Sequence, residues 1–153
     1  MRSSVPLLLA LSAAGLFLAA CERGGVPDGT VQVREAWVRL PAAASRPGAA
    51  YFRMEAGSEG TRLIGVSTPA ARWIELHESR TEGRVSKMRQ RKEFEFPSRG
   101  ELVFEPGGAH VMLFGLDRNL KPGDKVPLTF SFDVAPPVTV QAEVHGPAGQ
   151  PDH

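Results

Sequence analysis

The 153-residue chain has one cysteine, Cys21, at the end of an apolar leader. Everything after it is free of thiols. That absence excludes a disulfide framework, a thiolate metal site and a cysteine nucleophile. Charge of one sign is missing too. Past the leader the chain carries 17 basic and 17 acidic residues, since only Arg2 lies within it. Nothing steers such a chain toward nucleic acid or an anionic surface, and no nucleic-acid partner is expected. No window past the leader sustains a 3.6-residue apolar period. The best short helix candidate, T-P-A-A-R at 68–72, admits proline only in its first turn. A Gly-x-Ser-x-Gly elbow and a phosphate-binding glycine loop are both lacking, so an enzyme is not expected.

What the chain does have begins with its leader. Arg2 supplies a positive start, and Val5 to Leu18 is almost wholly apolar but short for a membrane span. L-A-A-C, Leu18 to Cys21, then resembles a bacterial lipobox. The resemblance implies cleavage before Cys21 and lipid on its sulfur. Residues 1–20 are therefore expected as a lipoprotein signal peptide and 21–29 as a lipidated N-terminus with a flexible tether. Residues 30–145 are expected as the folded domain and 146–153 as a disordered tail. Attachment through acyl chains places the protein on the periplasmic side of the envelope. Glu22 follows the cysteine, and by resemblance to lipoprotein sorting rules the absence of aspartate there favours the outer membrane over the inner.

Gly 16 and Pro 13 suit a chain that turns often. Short alternating runs fill the space between turns: Thr30 to Leu40, Ala49 to Met54, Arg62 to Ser67, Arg72 to Glu78, Arg84 to Gln90, Leu102 to Phe104, His110 to Leu116, Lys125 to Asp133 and Val138 to Val144. The inward parity changes between Val33 and Ala36, which predicts a bulge. Glu82-Gly83 reads as a hairpin turn, and K-P-G-D, Lys121 to Asp124, as a β-turn. Eight or nine strands at this spacing predict one all-β domain, an antiparallel sandwich or barrel.

Strand parity then sorts the histidines and methionines. Ile74 and Leu76 share one face of their strand; Trp73, Glu75 and His77 share the other. His110 and Met112 are two apart and point the same way. Met88 lies in the strand that the hairpin pairs with the His77 strand, and it alternates with polar Ser86 and Gln90. Met54 shares its parity with Phe52 and is expected in the core. Two imidazoles and two thioethers form a soft to borderline donor set that suits Cu(I). Zinc prefers thiolate or carboxylate beside imidazole, and calcium and magnesium want oxygen. Glu75 on the His77 face is either a group holding the free ring nitrogen or a solvated carboxylate.

The spacing His77, Met88, His110, Met112 reproduces the H-x10-M-x21-H-x-M pattern of the periplasmic copper chaperone family PCuAC. The segments E-A-W-V-R, A-A-Y-F, E-L-H-E, P-G-G-A-H-V-M-L-F-G-L and L-K-P-G-D-K-V-P-L-T-F resemble it as well, from about Val31 to Val144. The resemblance implies a cupredoxin-like β-sandwich and a shallow Cu(I) site made by those four residues. It implies supply of copper to the copper-bearing subunit of cytochrome c oxidase, alongside Sco-type proteins. A monomer is expected. Some members carry a long His- and Met-rich C-terminal extension for Cu(II); here the tail has only His145 and His153 and no methionine.

Two other functions fit the fold. A blue-copper electron carrier needs a thiolate with its histidines, and the only cysteine, Cys21, lies in the lipobox. A metal-free sandwich that binds protein or another envelope ligand remains as the alternative.

Overall fold

The computed structural model describes residues 25–151, so Cys21 and His153 lie outside the described residues. Ten strands follow one another: β1 (Val31–Arg39), β2 (Gly48–Ala56), β3 (Thr61–Ser67), β4 (Trp73–Glu82), β5 (Val85–Arg91), β6 (Phe94–Phe96), β7 (Glu101–Phe104), β8 (Ala109–Phe114), β9 (Lys125–Phe132) and β10 (Val138–His145). They form one hydrogen-bonded sheet in the order β5-β4-β8-β7-β2-β1-β10-β9-β3-β6, with β8 also pairing β2. The sheet folds back on itself as a sandwich. Phe52 of β2 meets Phe130 of β9 edge-on at 4.6 Å, and Phe94 of β6 meets Phe104 of β7 at 4.9 Å. Phe52, Met54, Leu63, Val111, Leu113, Leu128 and Phe130 are buried between the layers. Burial of this apolar surface supplies the main driving force for folding.

The sandwich departs from the expected antiparallel arrangement at two ladders. β1 pairs β10 in parallel, and so does β7 with β8 at Phe104 and Ala109. Such pairs join residues far apart in sequence or across a loop, where alternation carries no sign of direction. The three-residue β6 was not expected either; it pairs with β3 and buries Phe94 and Phe96. T-P-A-A-R is a turn, not a helix.

The predicted bulge is present. The β1–β2 register shifts between Arg34 and Trp37, and Glu35 takes a φ of 52°. K-P-G-D turns as expected, with Asp124 N–H donating to the Lys121 carbonyl at 3.1 Å. The β4–β5 hairpin turns one residue later than expected. Glu82 pairs with Val85, so Gly83 and Arg84 form the turn. Gly83 has a φ of 65°, the left-handed conformation the first residue of a type II′ turn needs. Residues 146–151 also turn, with Gly149 N–H on the Gly146 carbonyl at 2.9 Å.

Candidate metal centre

β4 and β8 build the centre. They are antiparallel neighbours, and Leu76 opposite Val111 faces the core. The alternate residues turn outward: Trp73 stands opposite Phe114, Glu75 opposite Met112 and His77 opposite His110. Directly opposed side chains are the closest pairs a sheet offers. The two imidazoles lie 5.8 Å apart between centroids, with 26° between their planes. Trp73 and Phe114 stack at 4.9 Å and 5° beside them.

Each ring has one nitrogen engaged and one spare. His77 Nε2 is 2.8 Å from Glu75 Oε2. With that nitrogen donating to the carboxylate, Nδ1 carries the lone pair. His77 is only 9% exposed, and its Nδ1 is buried without a hydrogen-bond partner among the described residues. A buried polar atom left in this way is costly unless something occupies it. His110 is engaged the other way: Nδ1–H donates to the Gly108 carbonyl at 3.0 Å, which leaves Nε2 free. Burial pushes the His110 imidazole below its ordinary pKa; the Gly108 carbonyl opposes this, and His77 and Arg39 add to it. The shift favours the neutral ring, the form that offers a metal its lone pair without first losing a proton.

The thioethers stand on the same outward face. Met112 is half-buried on β8, two residues beyond His110. Met88 lies on β5 and is 53% exposed. The register sets it opposite Ser79, diagonal to His77, while Gln90 stands directly opposite His77. Among the described residues no three His, Cys, Asp or Glu side chains gather where they could hold a metal. What this face does gather is two imidazoles with Met112 and Met88 on the same side, a candidate set that would suit a soft monovalent ion.

Arg39 and Tyr51 border the centre, and sequence reasoning passed over both. Arg39 donates to the Tyr51 hydroxyl and lies over the Tyr51 ring. Burial raises the Tyr51 pKa, and Arg39 opposes the rise. No spacing or parity signal marks either residue, because β1 and β2 reach β8 only through tertiary pairing. His145 sits apart from the pair, edge-on to Trp37 at 5.5 Å. A groove of about 580 Å³ there is lined by Trp37, Arg53, Phe104 and His145, and by none of the four expected ligands.

The model of the family described as "Putative lipoprotein LpqE-like" matches residues 31–144. The chain belongs to the LpqE-like family. It is 35% identical over 130 residues to "Putative lipoprotein Lxx21020" of Leifsonia xyli subsp. xyli, covering 82% of this chain and 76% of that one. Among solved structures it resembles the copper-bound PCuAC domain from PmoF2, with a TM-score of 0.66 at 23% identity over 79% of this chain and 97% of that one. It also resembles the CuI form of DR1885 from Deinococcus radiodurans. There the TM-score is 0.54 and the identity 30%, over 75% of this chain and 74% of that one. The resemblance to PCuAC domains is borne out at the level of the fold, a β-sandwich.

Proposed function

We propose that this protein is a lipid-anchored Cu(I) chaperone of the bacterial envelope, without catalytic turnover. In this reading His77, Met88, His110 and Met112 hold the ion, and Cys21 carries the lipid. The copper passes to cuproproteins, foremost the binuclear copper centre of cytochrome c oxidase, with Sco-type proteins as partners. The observation that carries the reading is the opposed pair His77 and His110, each with one ring nitrogen anchored and one spare.

The chemistry supports a carrier. Neutral imidazoles and thioethers bind Cu(I) by softness and do not neutralise its charge. A weak neutral ligand leaves without taking up a proton, so the ion can move on. Thioethers also persist in an oxidising compartment where thiols would pair. The names of similar proteins point the same way, since relatives are described as lipoproteins and as copper-bound or CuI forms.

The test is a Cu(I) titration of the wild type and of the His110→Ala, Met112→Ala double variant. The wild type should bind one Cu(I), with an X-ray absorption signature of two nitrogen and two sulfur neighbours, and the variant should bind none stoichiometrically. Full-affinity binding by the variant, or an oxygen-rich shell, would rule the assignment out. A wild type that binds no copper would favour the metal-free binding module.

A further inference from the structure

The four proposed ligands are held very unequally. His77, His110 and Met112 stand on β4 and β8, both of which have paired neighbours on either side. Among the described residues β5 is an edge of the sheet and pairs with β4 alone. All seven of its residues are exposed. His77 is 9% exposed, whereas Met88 is 53% exposed. An edge strand with few buried contacts opens locally at far lower cost than a strand in the sheet interior.

Register adds a second asymmetry. Met112 lies level with Glu75, and Met88 lies level with Ser79. The thioethers therefore flank His77 from opposite directions, about 13 Å apart along the strands at ~3.3 Å per residue. Two interstrand spacings of about 4.8 Å separate their strands as well. Met112 shares a strand with His110 and sits about 7 Å along from it. An ion drawn to the His77–His110 pair is thus near Met112, while Met88 must come in with its strand.

From this the geometry points to Met88 as the exchange ligand through which copper leaves, with His77, His110 and Met112 as the retained base of the site. This rests on the four-ligand reading above. In the transfer step a donor of the recipient forms a bond to copper at the β5 edge as the copper–sulfur bond to Met88 breaks. Copper stays monovalent, so no electron moves. A neutral imidazole or thioether donor moves no proton, and a thiol donor releases one as it binds as thiolate.

The test follows Cu(I) transfer from the loaded protein to bicinchoninate, in the wild type and in Met88→Leu and Met112→Leu, both near-isosteric changes that keep the fold. Met88→Leu should weaken Cu(I) affinity by about 10-fold, the lower end for groups that support a metal, and Met112→Leu by about 100-fold or more. Met88→Leu should also speed bimolecular transfer several-fold, because no copper–sulfur bond to β5 then has to break. In the metal-free wild type, the β5 amides bonded to β4 should exchange with deuterium faster than the β4 amides bonded to β8. Copper loading should slow them.

Equal losses of affinity in the two variants, an unchanged transfer rate in Met88→Leu, or equal protection of β4 and β5 without copper would overturn the exchange role and leave the four-ligand site intact. Failure of the wild type to bind Cu(I) would overturn both.

Discussion

At the scale of single residues, Glu75 separates what parity can say from what it cannot. Alternation along E-L-H-E puts Glu75 on the face of His77. It does not say whether the carboxylate turns to the ring or to water. The structure turns it to the ring, 2.8 Å from Nε2. The contact sets the tautomer and leaves Nδ1 as the spare donor, the usual part of a carboxylate behind a metal-binding histidine. Glu75→Gln should therefore weaken Cu(I) binding about 10-fold with little change in thermal stability, and Glu75→Ala should weaken it further. Competition with bicinchoninate measures both. Unchanged affinity in both variants would make Glu75 a surface group only. Met54, grouped with Phe52 by parity, is fully buried as expected.

At the scale of elements, the hairpin shows how a small turn choice sets a site. A turn centred on Glu82 and Gly83 would align Met88 with His77. The observed turn, Gly83 and Arg84, moves the pairing by two residues and aligns Met88 with Ser79. A two-residue shift keeps every side chain on its face, so alternation cannot tell the two registers apart. The β3–β9 junction offers a test of a different contact. The Asp133 carboxylate accepts Arg62 N–H, Arg62 Nε–H and Thr61 Oγ1–H, each at 2.8 Å. The backbone and side-chain bonds from Arg62, with that from Thr61, hold its pKa well below the usual carboxylate range.

A carboxylate depressed in the folded state stabilises it wherever the unfolded chain is also ionised, above about pH 4. The contribution fades as pH falls below that value toward the folded pKa. Asp133→Asn should lower the melting temperature at pH 7, and the gap from the wild type should narrow as pH drops below about 4. Thermal unfolding across that range checks it. A gap independent of pH would show that the charge of Asp133 contributes nothing.

At the scale of the whole molecule, the site depends on a core it does not touch. Leu76 and Val111 alternate with His77 and His110 on paired strands, so packing of the inner face aims the outer one. Phe52 lies at the centre of that packing, stacked on Phe104 at 4.3 Å and edge-on to Phe130 at 4.6 Å. Phe52→Ala should cost about 3–5 kcal/mol. For a domain of this size the melting temperature should fall by about 10 °C or more. Circular dichroism on the metal-free protein reads this directly, and a loss below about 1 kcal/mol would show that the layers repack around the gap.

The sequence by itself determined the class of fold, the face each ligand candidate occupies and the chemistry of the donor set. These follow from local rules: a strand alternates with period two, and a domain without thiols has none to offer a metal. It also marked the bulge near Glu35, because a bulge breaks that period within one strand. Only the tertiary structure decided which strands are neighbours, including the parallel β1–β10 and β7–β8 ladders. It also decided that Arg39 and Tyr51 border the centre, that Glu75 anchors His77, and that Met88 stands on an exposed edge level with Ser79. Those depend on pairing between distant segments and on the register of a turn, and many such pairings satisfy the same alternation of apolar and polar residues.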